Sequence, residues 1–141
     1  EAINSNNVNA LRYINGAPTV WGARTRDKGG IYEYQPVTRT AFLIADSLRE
    51  ALQRVVFAKN TEVLWLNLKA SVTGFMTTLY AQGAFQGNSA SQAFEVACGL
   101  GESMSQTEIN QGLLRVTVRF RPAKPAEFIE VSVEQLFEDS L

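Results

Sequence analysis

The amino-acid sequence predicts an α+β fold in which a small antiparallel sheet packs against two long helices. Two neighbouring segments in the middle of the chain repeat apolar residues every three or four positions, which is the period of an amphipathic helix. Segments nearer the C-terminus alternate apolar and polar residues, which is the period of a half-buried strand. The resulting order of strand, helix, helix, strand and strand is typical of an antiparallel sheet covered by helices.

The chain is expected to form one domain over residues 1–141. Its 141 residues are near the usual size of a single domain, and 45% of them are hydrophobic, which suffices for a packed core. No linker, repeat or low-complexity tract divides it. Because the chain starts at Glu1 without a methionine, we expect it to be a piece of a longer protein.

The N-terminal region predicts a short hairpin. Residues 19–25 have the composition of a strand, residues 27–30 (DKGG) form a turn signal, and residues 31–34 alternate as a second strand that pairs with the first. Pro36 is expected to close this region before the first helix begins.

The first long helix is predicted to begin near Thr38, with Thr38 or Thr40 as its cap, and to end at Lys59 and Asn60. Its apolar face recurs at helical spacing. The residues of that face are Phe42, Leu43, Leu48, Ala51, Leu52, Val55 and Val56.

The second long helix is predicted to follow at once. Asn60 or Thr61 can cap it, Glu62 lies in its first turn, and Gly83 supplies its C-terminal cap. Its apolar stripe consists of Leu64, Leu68, Val72, Phe75 and Leu79. The opposite face is small and nearly uncharged around Gly74, which fits either close approach by another element or a merely tolerated glycine.

Two amphipathic strands are predicted at the end of the chain, after a short strand at residues 93–98 and a helical turn at residues 106–111. The polar face of residues 114–121 is basic, and that of residues 128–134 is acidic. One register keeps all their apolar residues on the other face. It pairs Arg121 with Phe128, Arg119 with Glu130, and Arg115 with Glu134.

The partner of the last strand is left open by the sequence. The six-residue connection 122–127, bracketed by Pro122 and Pro125, permits a hairpin within one chain, and its length favours that arrangement. The same complementarity allows the last strand to add to the sheet of a neighbouring copy.

Composition and charge exclude several classes of function. The 13 Lys and Arg residues and 14 Asp and Glu residues give a net charge of −1, so no nucleic-acid or anionic-membrane partner is expected. No apolar run reaches the roughly 20 residues of a membrane span. The chain has no histidine and one cysteine, Cys98, which is expected to be a buried free thiol. We therefore predict no enzyme, no catalytic residue, no cofactor and no metal site.

Charged residues make up only 19% of the chain, below the roughly 25% of an ordinary soluble domain. A surface with few charges favours burial against other chains over simple scatter in composition.

Five stretches, in this order and spacing, resemble the C-terminal domain of contractile phage tail sheath proteins, over about Asn9 to Val133. Relatives of these sheaths occur in R-type bacteriocins, extracellular injection systems and type VI secretion systems. The stretches are TVWGART, RVVFAKN, TEVLWLNLKASVTGFMTTLYAQGAFQG, QAFEVACG and EINQGLLRVTVRFRPAKPAEFI. The densest match lies at Asn110, Gly112, Pro122, Pro125, Ala126 and Glu127.

The resemblance implies a structural subunit of a contractile tail sheath. Such subunits polymerise around an inner tube, store energy in the extended assembly, and contract to drive the tube through the target cell envelope. The implied partners are other sheath copies, the inner tube protein and the baseplate at the sheath end. The implied location is the tail of a phage particle assembled in the host cytoplasm, without cofactor, nucleic acid or membrane insertion.

The resemblance also implies where such a subunit makes contact. This domain forms the inner layer of the sheath and is linked to neighbours by exchanged strands. The interface candidates are Arg115, Arg119, Arg121, Phe128, Glu130 and Glu134. The candidates for facing the tube, on the outer face of the first helix, are Asp46, Arg49, Glu50 and Arg54, although a merely solvated face fits them equally well.

The chain departs from its relatives at the start of that helix. Sheath relatives often carry adjacent basic residues there, whereas Arg39 is followed by Thr40.

The sequence leaves two alternatives to the sheath hypothesis open. One is another structural subunit of a contractile injection machine, from the tube or the baseplate. Tube subunits are typically β-rich barrels, and two long helices argue against that class. The other is a stand-alone α+β binding module, which would require a deep pocket.

Overall fold

The structure is a computed structural model that describes residues 6–125. It confirms the α+β class and the two long helices. The elements are β1 (Ala10–Ile14), β2 (Ala17–Trp21), α1 (Gln35–Gln53), α2 (Glu62–Ala81), α3 (Ala90–Ala93), β3 (Phe94–Ala97), α4 (Gln106–Asn110) and β4 (Thr117–Phe120).

The strands of the described residues form two antiparallel two-stranded sheets, β1–β2 and β3–β4. The predicted pairing of residues 19–25 with residues 31–34 forms only at one end, at Arg24 and Tyr34, because β2 pairs with β1 instead. Asn15 and Gly16 join β1 to β2, and both have positive φ, of 51° and 81°. Two such residues match the right-handed twist of a tight hairpin. At the Arg24 end the N–H of Thr25 donates to the carbonyl of Glu33 at 2.7 Å, and the N–H of Gln35 donates to the carbonyl of Ala23 at 2.8 Å.

Helix α1 begins and ends earlier than predicted. Tyr34 caps it in an extended conformation, and Pro36 lies in its first turn, where a missing backbone N–H costs nothing. Pro36 therefore starts the helix, and Thr38 is not the cap. The helix ends at Gln53, so Val55 and Val56 lie in the turns that follow it. The predicted apolar face is confirmed only in part: Leu48 packs against the core, whereas Phe42 is 61% exposed and Ile44, outside the predicted set, is buried.

Helix α2 follows the prediction closely. Thr61 is the residue before its first turn, Glu62 lies within that turn, and Gly83 adopts a positive φ of 81° just beyond the end. The stripe residues Leu68, Val72 and Leu79 are buried, together with Met76, which the stripe did not include. An added Cβ at Gly74 would meet no atom within 4 Å, so nothing in residues 6–125 requires a glycine there.

The hydrophobic core lies where the β3–β4 sheet meets α1 and α2. Met76 is 0% exposed and belongs to a cluster that also takes Ile44 from α1 and Val96 from β3. Phe85 packs in the same cluster with its ring centroid 5.4 Å from that of Phe120 in β4. The predicted packing of a small sheet against two helices is confirmed for β3–β4.

The C-terminal elements differ from the prediction mainly in length. Strand β3 and helix α4 lie within the predicted ranges, whereas β4 is shorter than residues 114–121. The reason is local. The backbone N–H of Arg115 donates to the Sδ of Met104, and the Arg115 carbonyl accepts from the hydroxyl of Ser103. These bonds replace the ladder bonds that would extend β4 backwards. The predicted strand 128–134 lies outside the described residues.

No helix among residues 6–125 has both the length and the hydrophobicity that crossing a bilayer requires.

Replacing Met76 with alanine is expected to lower the free energy of unfolding by about 2–5 kcal/mol, because the side chain is fully buried and its removal leaves a cavity. Urea unfolding followed by circular dichroism measures the change. The matched control is Thr73→Ala, an exposed position on the same helix, for which a change within about 0.5 kcal/mol is expected. Equal effects of the two substitutions would contradict the assignment of the core.

Candidate interaction surface

A long apolar groove, which we call the β4 groove, lies between the loop before α1, helix α1 and strand β4. Its volume is about 840 Å³. The lining residues are Gly29, Gly30, Ile31, Tyr32 and Tyr34 of the loop, Val37, Ala41, Ile44, Ala45 and Leu48 of α1, and Val118, Arg119, Phe120, Pro122 and Lys124 at β4 and beyond.

The open edge of β4 runs along this groove. In an antiparallel pair, hydrogen-bonded and non-bonded residues alternate along each strand. The N–H of Arg121 donates to the carbonyl of Ala93 at 2.9 Å, so Arg119, two residues earlier, is the next residue bonded to β3. The backbone N–H and C=O groups of Val118 and Phe120 therefore point away from β3. No hydrogen bond within residues 6–125 satisfies them on that side.

The charges that line the β4 groove all have one sign. Arg119 and Lys124 are the charged residues among its described lining, and no carboxylate accompanies them there. The remaining walls are aliphatic or aromatic. This arrangement suits an extended segment that presents apolar residues to the walls and carboxylates to the rim.

The predicted interface residues separate into three places. Arg119 lines the groove and forms an exposed ion pair with Glu95 of β3, at 3.1 Å. Arg121 is exposed just beyond β4. Arg115 lies elsewhere, because its guanidinium binds Glu108 of α4 at 2.8 Å. Phe128, Glu130 and Glu134 lie outside the described residues.

The predicted tube-facing residues form a separate exposed surface on α1 and just after it. Asp46 pairs with Arg49, and Glu50 pairs with Arg54 at 2.7 Å, so the four side chains satisfy one another. All four are more than half exposed. None of them lines the β4 groove.

Tyr34 and Lys124 are functional candidates that sequence reasoning does not bring together. The Nζ of Lys124 lies 6.0 Å from the centroid of the Tyr34 ring, and the Cζ of Arg24 lies 5.7 Å from the same centroid. The available signals were weak: an aromatic residue directly before a helix, and a lysine between two prolines. Only the fold places these distant segments side by side.

A smaller pocket of about 310 Å³ is lined in part by Cys98. The polar contacts around Cys98 serve the fold and do not activate its thiol. Burial raises the pKa of the Cys98 thiol, and the nearby Glu102 carboxylate adds to that rise, so the reactive thiolate is disfavoured. A hydrogen bond from Lys69, and a second from the backbone of Cys98, lower the pKa of Glu102. These contacts join α2 to the loop after β3. Within residues 6–125, no group of three or more histidine, cysteine or acidic side chains could hold a metal.

Helix α4 fixes the approach to β4 through a capping box. The backbone N–H and the hydroxyl of Ser105 both hydrogen-bond to the Glu108 carboxylate, and Arg115 donates to its other oxygen. These bonds lower the pKa of Glu108, the Ser105 backbone bond most of all. Arg115, which precedes β4, is thus held through both its backbone and its side chain.

Comparisons with known proteins point to one kind of assembly. A family model of the phage tail sheath C-terminal domain matches residues 27–135, which is well over half of the chain. A comparison with curated proteins gives no match.

Solved structures of contractile injection machines resemble the chain. A chain of the anti-feeding prophage (AFP) baseplate, 6-fold symmetrised, is 32% identical over 96% of this chain, with a TM-score of 0.84. The PVC sheath complex of an extracellular contractile injection system, in the contracted state, is 29% identical over 98% of this chain, also with a TM-score of 0.84. The contracted AFP helical sheath is 33% identical over 94%, with a TM-score of 0.81. This chain spans 38%, 39% and 38% of those chains, respectively.

Glu108→Gln is expected to reduce the dependence of stability on acid pH. Because the pKa of Glu108 is lowered in the folded chain, its contribution is complete above the pKa of the unfolded chain. That contribution is lost as the pH falls through the lowered, folded pKa. Urea unfolding at a series of pH values from about 6 to about 3 measures the loss.

Ser105→Ala provides the graded comparison for this pH test. It removes the hydroxyl bond and keeps the backbone N–H bond, so its pH dependence should lie between those of the parent chain and of Glu108→Gln. A parent-like slope in Glu108→Gln would contradict the capping role.

Proposed function

Because the chain belongs to the phage tail sheath C-terminal domain family, we propose that it forms the inner layer of a sheath subunit that polymerises around a tube and contracts to drive that tube through a target envelope. The chain spans less than two fifths of the solved sheath chains that it matches, so the action of the whole subunit is part of the proposal. The observation that carries it is the open β4 edge in an apolar groove.

Strand addition from a second copy is the proposed link between subunits. An incoming strand would hydrogen-bond to the outward backbone groups of Val118 and Phe120 and complete a third strand beside β3 and β4. An uncovered edge beside apolar walls promotes uncontrolled pairing, which natural proteins suppress by covering the edge. Polymerisation through this groove would cover it in a defined register.

The proposed occupant is the segment 128–134 of a neighbouring copy. Its alternating pattern places Ile129, Val131 and Val133 on one side, which suits the apolar walls. Glu130 on the other side would approach Arg119, as the predicted register requires. Each exposed pair of opposite charges contributes only about 0.2–1 kcal/mol, so charge selects the register while apolar burial supplies affinity.

The path of the chain after β4 supports exchange between copies over a hairpin within one copy. The N–H of Ala123 donates to the carbonyl of Ala84, so the chain continues extended past the end of β4. If the pairing of Arg121 with Phe128 continued into the connection 122–127, Ala123 would face Ala126 and leave Lys124 and Pro125 as a two-residue turn. Such a turn needs a positive φ at its first residue, whereas a following proline restricts Lys124 to extended conformations.

The outer face of α1 is the proposed surface toward the tube. Asp46, Arg49, Glu50 and Arg54 balance one another in charge, and Phe42, 61% exposed, lies one turn before Asp46. An apolar side chain beside balanced ion pairs suits a contact with the tube that does not depend on net charge attraction.

The proposed setting is the tail of a phage-like particle, assembled in the host cytoplasm, with sheath copies, the tube protein and the baseplate as partners. The likeness to a chain of the AFP baseplate complex favours a second candidate, a sheath-type subunit at the baseplate end of the sheath. Neither role requires an enzyme activity or a cofactor.

Deleting residues 128–141 from the subunit that carries this chain is expected to abolish tubular polymers, because the donated strand is lost. Negative-stain microscopy of the purified subunit measures tube formation, and circular dichroism checks that it remains folded. A deletion of residues 138–141 alone keeps the strand and is the matched control, which should form normal tubes. Normal tubes from the longer deletion would refute strand exchange.

A charge exchange tests the register. Arg119→Glu is expected to weaken assembly, since it sets a carboxylate opposite both Glu95 of its own sheet and Glu130 of the incoming strand. Adding Glu130→Arg should partly restore the tubes, and the measurement is the lowest subunit concentration at which tubes form.

The comparison variant for the register combines Arg119→Glu with Glu95→Arg. This combination restores only the pair within the β3–β4 sheet. If it restores tubes as well as the combination with Glu130→Arg does, the loss came from the fold of the subunit and the proposed register is wrong.

A further inference from the structure

Tyr34 joins three parts of the chain at one end of the β4 groove. It is the residue before the first turn of α1, it lines the groove, and two cations lie against its ring. Arg24 reaches the ring from the segment after β2, and Lys124 reaches it from the segment after β4. A cation within about 6 Å of an aromatic centroid is attracted by the negative face of the ring.

The Arg24 side of this contact is firmly held. Its guanidinium pairs with Glu33 at 3.6 Å and donates to the Oδ1 of Asn7 at 3.2 Å. Its backbone N–H and carbonyl both bond to the side chain of Asn9. Tyr34 therefore packs against an anchored cation whose charge Glu33 already balances, and the ring presents a fixed platform to Lys124.

On the other side of the ring contact, Lys124 is the last described residue that lines the β4 groove. The Nζ of Lys124 lies over the Tyr34 ring, 6.0 Å from its centroid. Pro125 follows directly and keeps the Lys124 backbone extended. Backbone bonds hold the chain through Ala123, and the Lys124 side chain adds the last tie to the body of the subunit.

We propose that Lys124 is a positioning residue for strand exchange, and that it acts through Tyr34. Its ammonium group, held against the ring, sets the direction in which the segment after Pro125 leaves the groove, so that this segment reaches a second copy. The inference rests on the proposed function. The inference adds to that function a role for the contact between Lys124 and Tyr34. This contact, together with the hydrogen-bonded backbone, fixes the direction of the segment after Pro125.

The test is a double-mutant cycle in the subunit that carries this chain, read as the lowest concentration at which tubes form. Lys124→Met and Tyr34→Leu should each raise that concentration about two- to fivefold, the factor that an exposed cation–π contact represents. The double variant should be no worse than Tyr34→Leu alone, because Tyr34→Leu has already lost the contact with Lys124.

Conservative variants separate positioning from a general loss of structure. Lys124→Arg keeps a cation and Tyr34→Phe keeps a ring, so both should assemble at the parent concentration. Urea unfolding should place Lys124→Met close to the parent subunit, because Lys124 is exposed.

Three outcomes decide the proposal. Parent-like assembly of Lys124→Met, with tubes formed by the parent, overturns the positioning role and leaves the proposed function standing. Additive effects in the double variant show that Lys124 acts on the partner directly, which also overturns it. Failure of the parent subunit to form tubes counts against the proposed function itself.

Discussion

The open edge of β4 is the constraint on which the rest of this structure depends. Backbone groups beside apolar walls need hydrogen-bond partners when water is excluded, and those of Val118 and Phe120 find none within the described residues on that side. A strand can serve as a template for another chain only if its own position is fixed. The fold around β4 supplies that fixity from its interior and at both ends of the strand.

From the interior, β4 is held by the core that it shares with α1 and α2. The ring of Phe120 packs on Phe85, and the fully buried Met76 lies in the same cluster. Before the strand, Arg115 is bound through both its backbone and its guanidinium. After it, the backbone remains bonded through Ala123. The strand is therefore restrained on every side except the edge that faces the groove.

Sequence predictions are accurate here where the residues that carry them are neighbours in the chain. Helix α2 follows the sequence prediction nearly to the residue, because Thr61, Glu62 and Gly83 lie at its ends and their preferences are local, although the Thr61 side chain makes no capping hydrogen bond. The start of α1 was misplaced because a proline can either end a segment or begin a helix, and Pro36 does the second. The expected pairing of residues 19–25 with residues 31–34 is limited to Arg24 and Tyr34, because the tight turn at Asn15 and Gly16 pairs β2 with β1.

The candidate site was harder to predict, because it exists only after distant segments meet. The alternation of β4 predicts Arg119 on its polar face, and Arg119 lines the β4 groove, while its place in a subunit interface stays a prediction. Nothing in the sequence placed Arg115 on Glu108, since that pair depends on the capping box of α4. The contact of Lys124 with Tyr34 joins the segment after β4 to the residue before α1, and neither residue carries a local pattern that indicates its partner.

If the proposed function holds, the weak ion pair of Arg119 with Glu95 helps an incoming strand to bind. Arg119 already pairs with Glu95, and both side chains are largely exposed, at 73% and 64%, so the pair is strongly hydrated and contributes little to stability. An incoming carboxylate can share this guanidinium without first breaking a strong bond. Backbone hydrogen bonds and apolar walls then hold a strand whose register the charges have selected. A subunit linked in this way needs no catalytic group, because the link itself is made of backbone and core.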